Sequence, residues 1–186
     1  MEIQKIKSEE RQKYKLIRAE VSRIEQEKVK NNVELFIENF HKLSNKYKYI
    51  AIYWPLKNEI DIRTLKQKYL LALPRCNSSK DLKFYAWDNS HLEKDFEGIP
   101  SPSNKSKALK FDEVSLIFVP CLAIDQSLIR LGYGGGYYDK LRANKDWRSV
   151  KTIGLLTSNC ISDKLLPRET FDIALDGFIT EKGIYV

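Results

Sequence analysis

Of the eight glycines in this 186-residue chain, four lie at positions 132, 134, 135 and 136, inside Arg130-Leu-Gly-Tyr-Gly-Gly-Gly-Tyr-Tyr-Asp139. No other stretch restricts so sharply what the backbone does. Glycine lacks a Cβ and takes φ > 0 freely, so a run of it lets bare N–H groups close on a ligand. Successive amides turned into one concavity make a nest for an anion such as phosphate. The segment before it, Glu113-Val-Ser-Leu-Ile-Phe-Val-Pro120, is short, apolar and β-branched, and reads as a buried strand. The segment after it, Tyr137 to Arg142, opens a helix whose first amides add to the anion site. Arg130 is suited to a phosphate, and the Asp139 carboxylate to a divalent cation.

The same composition fits a glycine-rich surface loop with no ligand. Two tyrosines, an arginine and an aspartate packed around the glycines favour a site, since a solvated linker has no need of them. Neither common nucleotide motif is present. A P-loop requires Gly-Lys-[Ser/Thr], and here Tyr137 follows Gly136; the dinucleotide fingerprint needs a third glycine where Tyr137 stands.

Elsewhere the chain alternates between helical and strand patterns. From Ser8 to Leu43, apolar residues recur three or four apart (Tyr14, Ile17, Val21, Ile24, then Val29, Val33, Phe36, Phe40), which predicts two helices with a break at Asn31-Asn32. Tyr49-Ile-Ala-Ile-Tyr-Trp54 predicts a first strand ended by Pro55, followed by a helix with Ile62, Leu65 and Tyr69 on one face. Lys83 to Trp87 predicts a second strand and Lys151 to Thr157 another. Gly98-Ile-Pro-Ser-Pro-Ser-Asn is a turn-rich loop, too short for a domain linker, so residues 1–186 form a single domain. This alternation predicts an α/β layered fold.

Composition excludes more than it assigns. No run approaches the roughly 18 apolar residues of a membrane span, and the first residues have no apolar core of a signal peptide. Three cysteines without CxxC spacing point to a reduced, cytoplasmic protein. The net charge of +7 suits polyanionic partners of any kind. The lysines are spread along the chain rather than gathered on one element, which weighs against nucleic acid.

The glycine stretch, standing a few residues after Pro120 and Asp125, resembles that of the 5-formyltetrahydrofolate cyclo-ligases, also called methenyltetrahydrofolate synthetases. The resemblance is strongest over 117–139, moderate over 49–65 and 167–180, and weak in the first helices. It implies a three-layer α/β/α sandwich with a central, mainly parallel sheet and the N-terminal helices packed on it. It also implies ATP contacts along Arg130, Leu131, Gly132, Tyr133, Gly134, Gly135, Gly136, Tyr137 and Tyr138, with Arg130 and Tyr138 closest to the chemistry. A Lys and an Arg four positions apart early in the first helix also contact ATP in that family. The Arg is matched by Arg18; Tyr14 occupies the Lys position, with Lys13 and Lys15 on either side. Trp54, before Pro55, and Glu59 match the residues that line and hydrogen-bond the pterin; Glu59 also reads as an acidic residue in the first turn of a helix. Asp139 and Asp172 match the Mg²⁺ carboxylates, although Phe171 replaces the family's frequent His. A Gln usual after the late strand is absent, its neighbourhood being Asn159, Cys160 and Ile161. Cys160 reads as a plain buried thiol and Asp176 as structural.

The implied reaction is ATP- and Mg²⁺-dependent closure of 5-formyltetrahydrofolate to 5,10-methenyltetrahydrofolate, releasing ADP and phosphate. The formyl oxygen is phosphorylated first, and N10 then attacks the activated carbon. The implied partners are small molecules, ATP and a reduced folate, bound by a monomer that engages neither nucleic acid nor membrane. Two rival readings remain: a nucleic-acid-binding module, and a kinase or sugar-phosphate isomerase on a similar sheet.

Overall fold

In a computed structural model, described over residues 2–43, 48–88, 91–105 and 107–186, the chain forms one large mixed sheet with helices on both faces. Two helices come first, α1 (Glu2–Ala19) and α2 (Arg23–Leu43). The strands β1 (Tyr49–Ala51), β2 (Leu71–Cys76), β3 (Leu82–Ala86), β4 (Glu93–Lys94) and β5 (Pro100–Ser101) follow, then β6 (Val114–Pro120), β7 (Ala123–Asp125) and β8 (Arg130–Leu131). The C-terminal part holds α3 (Tyr137–Ala143), α4 (Lys145–Arg148), β9 (Lys151–Leu155), β10 (Ile161–Ser162), β11 (Phe178–Thr180) and β12 (Gly183–Tyr185).

The large sheet runs β12-β11-β9-β6-β1-β2-β3. Its five inner strands pair in parallel, and β12 and β3 close the two edges antiparallel. Side chains alternate across β6 with the period of two that a strand imposes. Leu116 and Phe118 pack with Val33, Phe36 and Ile37 of α2, while Ile117 and Val119 pack with Tyr14 of α1 and Leu141 of α3. The N-terminal helices are therefore divided between the two faces. A second sheet, β10-β7-β8, carries the glycine stretch at the end of β8.

Several expectations give way to the structure. The helix break falls at Glu20–Ser22, not at Asn31-Asn32. Ser22 and Glu25 form a capping box: the Ser22 hydroxyl accepts from the Glu25 amide (3.2 Å) and the Glu25 carboxylate from the Ser22 amide (2.8 Å). Asn32 sits inside α2 and donates to the Thr180 carbonyl at 2.8 Å, which ties the helix to β11. Ile24, expected on the apolar stripe, is 70% exposed. The inner face of α1 instead buries Lys7, Tyr14 and Arg18. The helix expected after Trp54 is one 3₁₀ turn, Arg63–Gln67, whose first amide is taken by the Asp61 carboxylate (3.0 Å). Strand β2 went unforeseen because Pro74 interrupts its pattern; the Pro lies opposite Phe84 of β3.

Candidate active site

β1 and β6 are parallel neighbours from which the chain departs in opposite directions, to β2 after β1 and to β9 after β6. Such a divergence opens a crevice beyond the carboxyl ends of the strands, where ligands bind in open α/β sheets. Trp54 and Glu59 follow β1 into this crevice, and the glycine stretch reaches it from β8.

Asp125, at the end of β7, fixes the base of that stretch. Its fully buried carboxylate accepts from the Ser127 hydroxyl (2.6 Å), the Ser127 and Ile129 amides (2.9 and 3.2 Å) and the Leu166 amide (2.8 Å), and pairs with Arg168. Burial raises the carboxyl, but the bonds from Ser127, Leu166 and Ile129 outweigh it and hold it below the usual carboxylate range. Beyond Leu131, which is buried, the backbone turns left-handed at Gly134 (φ 104°) and Gly136 (φ 74°), and Gly136 caps α3. A Cβ on Gly135 would stand 2.7 Å from the Tyr137 ring. The run therefore suits glycine for both conformation and space.

The stretch separates two cavities. One, of about 380 Å³, is lined by Trp54, Glu59, Tyr133, Tyr137 and Tyr138. The other, of about 420 Å³, is lined by Lys7, Arg11, Lys80 and Lys140 together with Asp139 and Asp172. Arg130, Gly132, Gly135, Gly136 and Asp139 border both.

In the first cavity, Trp54 meets Trp87 edge to face at 6.1 Å and carries the Arg63 guanidinium over its ring at 4.4 Å. Asn58 takes a left-handed conformation (φ 65°), and the turn it makes returns Glu59 to accept from the Leu56 amide at 2.7 Å. The other carboxylate oxygen, Oε1, is buried with no hydrogen-bond partner, leaving an acceptor for a ligand N–H. Burial pushes the Glu59 carboxyl up, and the Leu56 amide and Arg18 pull it back. Tyr138 packs beside Arg130 (5.4 Å to the ring centroid), and the Tyr137 hydroxyl donates to Glu97. Burial raises both phenols, so each stays protonated and serves as a donor, not a base. Burial also pushes the Cys76 thiol, on the wall of this cavity, up to about 12. Cys160 is buried and its thiol raised by burial, so it is no nucleophile.

In the second cavity every carboxylate is paired. Arg130 Nη2 stands 3.1 Å from both Asp139 oxygens. Lys7 Nζ reaches Asp172 at 2.6 Å and Glu169 at 2.9 Å, and Asp172 also accepts from the Glu169 amide at 2.7 Å. Arg11 donates to the Gly132 carbonyl at 2.9 Å and lies against Gly134. Among the described residues no three His, Cys, Asp or Glu side chains gather as a self-sufficient metal site. Two carboxylates facing one cavity do suit a hard cation that brings its other oxygens from phosphate and water, as Mg²⁺ commonly does.

The structure thus brings the expected residues together, with one exception. Arg18 borders neither cavity. It lies behind Glu59, its guanidinium 3.7 Å from that carboxylate and bonded to the Tyr133 hydroxyl. The α1 cations that line the second cavity are Lys7 and Arg11, which sequence reading passed over. Their signal was present: they too stand four positions apart. It was obscured because an apolar stripe was sought on α1, whereas its inner face is largely cationic.

The chain matches the 5-formyltetrahydrofolate cyclo-ligase family over residues 3–181. It is 27% identical to the 5-formyltetrahydrofolate cyclo-ligase of Haemophilus influenzae over 168 residues, covering 86% of this chain and 89% of that protein. A probable 5-formyltetrahydrofolate cyclo-ligase of Schizosaccharomyces pombe is 28% identical over 146 residues, 69% of this chain and 72% of the other. The solution structure of Aquifex aeolicus 5,10-methenyltetrahydrofolate synthetase superposes with a TM-score of 0.77 at 28% identity, over 97% of this chain and 92% of that one. A family match across nearly the whole length, agreeing with the glycine stretch and the crevice it borders, places the chain in the 5-formyltetrahydrofolate cyclo-ligase family.

Proposed function

We propose that this chain closes 5-formyltetrahydrofolate to 5,10-methenyltetrahydrofolate at the expense of ATP, with Mg²⁺ as the accompanying cation. The observation that carries the reading is the glycine stretch standing as a common wall between a cationic cavity and an aromatic one. The cationic side suits the polyphosphate, with Lys7 and Arg11 in the place first expected of Arg18. The aromatic side suits the pterin, with Trp54 against the ring and Glu59 accepting from its amino-pyrimidinone edge.

A formyl oxygen is a poor leaving group, so the γ-phosphoryl group passes to it first. N10 then attacks the formyl carbon, the C–O bond breaks, and phosphate leaves carrying that oxygen. In such a transfer the protein mainly positions the reactants and neutralises charge. Arg130 borders both cavities and is placed to follow the phosphoryl group across; Tyr138 is placed to donate a hydrogen bond beside it, and the amides of 132–136 to line the path. Asp139 and Asp172 would hold Mg²⁺, which supplies charge neutralisation at the phosphate oxygens. The same reading takes residues 1–186 as one domain acting as a cytoplasmic monomer on two small molecules. No helix among the described residues is long and apolar enough to cross a membrane.

The direct test mixes protein, MgATP and 5-formyltetrahydrofolate and follows the near-ultraviolet absorbance of methenyltetrahydrofolate. Product should accumulate with ATP and stop without it. No product, with ATP nevertheless bound, would refute the folate half of the proposal.

A further inference from the structure

Arg18, which borders neither cavity, forms a buried ion pair with Glu59. Only 8% of Arg18 and 6% of Glu59 is exposed. Arg18 Nη1 stands 3.7 Å from Glu59 Oε1, and Nη2 reaches both the Lys57 carbonyl (3.4 Å) and the Tyr133 hydroxyl. The space beside the pair is about 10 Å³, room for roughly one water. Both side chains are almost withdrawn from solvent, so their interaction is poorly screened.

We infer that Arg18 is a positioning residue for the reaction: it holds the Glu59 carboxylate toward the substrate ring and joins it, through Tyr133, to the glycine stretch. This rests on the folate reading above. The chemistry follows from the neighbours. Glu59 can take two N–H donors from an amino-pyrimidinone only as a carboxylate. Around the pair stand Tyr53 after β1, Cys121 after β6, Tyr138 in α3 and Cys160 after β9, all neutral when protonated and none able to replace a cation. Among the described residues, Arg18 is the cation acting on Glu59, while burial works against its charge. The guanidinium fork meets the carboxylate and Tyr133 at once, which a single ammonium does not do in the same way.

The test is Arg18→Met, read in three ways: carbon-13 titration of labelled Glu59 in the unliganded protein, equilibrium binding of 5-formyltetrahydrofolate across pH, and equilibrium binding of MgATP. Glu59 should titrate at higher pH than in the wild type, and folate affinity at neutral pH should fall about tenfold for each pH unit of that displacement beyond neutrality. The lost affinity should return as pH rises through the new Glu59 pKa, and MgATP affinity should change by less than about threefold. An unmoved Glu59 titration with wild-type folate affinity would overturn the inference. So would a loss confined to MgATP, which would make Arg18 a phosphate ligand. Arg18→Lys keeps the charge without the fork and is readable even where Arg18→Met does not fold. It should leave the Glu59 titration in place and weaken folate binding about threefold; wild-type folate affinity there would overturn the link through Tyr133. If wild-type protein binds no folate yet the titration still moves, the folate reading fails and the hold of Arg18 on Glu59 stands.

Discussion

Asp139 borders both cavities and binds Arg130 through both of its oxygens. Its side chain is about one-fifth exposed and opens onto both cavities, and an amide in its place still accepts a hydrogen bond from Arg130. Asp139→Asn keeps the shape and removes the charge that offsets Arg130 and suits Mg²⁺. Turnover should drop by about a hundredfold or more, while the midpoint of thermal unfolding stays within about 3 °C of wild type. Steady-state rates across a Mg²⁺ titration, paired with a melt, check this. Unchanged rates with unchanged Mg²⁺ dependence would remove Asp139 from the metal assignment. Glu59 differs in kind, since its charge is buried and depends on a neighbour.

Elements show where sequence is legible and where it is not. The glycine stretch was readable because glycine's lack of a Cβ is a local property that no tertiary context supplies. β6 was readable because both its faces are buried from Leu116 to Val119, which leaves a continuous apolar run there. β2 was not, because Pro74 speaks against a strand locally and only pairing with β1 and β3 on either side admits it. On α1 the difficulty was chemical: burying Lys7 and Arg18 is tolerable only with Asp172, Glu169 and Glu59 opposite, residues far along the chain and invisible to a helical period. The boundary between α1 and α2 was in principle legible, since Ser22-Arg-Ile-Glu25 is a capping box by spacing alone. Ser22→Ala should cost about 1 kcal/mol of unfolding free energy, measured by denaturant titration, and leave the kinetic constants unchanged. A cost near zero would mean that the Glu25 side chain alone fixes the start of α2.

Across the molecule, acid sensitivity should concentrate at Asp125. Its carboxyl is held below the ordinary range in the folded state, so the stability it contributes is present above the unfolded-state pKa. That stability is lost as pH falls through the lower, folded-state value. Loss of its charge also frees β7 from the Leu166 amide and Arg168, joining acid unfolding to the support of the glycine stretch. Asp125→Asn should lower stability at neutral pH by about 2 kcal/mol and flatten the remaining dependence on acid, both visible in denaturant midpoints recorded over a pH series. An equally steep acid limb in the variant would place the sensitivity elsewhere.

The wall between the two cavities carries a thermodynamic obligation. The same five residues line both cavities, so a ligand that moved them from one side would alter the other, and two ligands bound there would be linked. Linkage is reciprocal: whatever factor the nucleotide applies to folate affinity, folate applies to nucleotide affinity. A partition of this kind has no preferred side. On the proposed reading, the sign and size of the coupling can therefore be measured from either side of the wall.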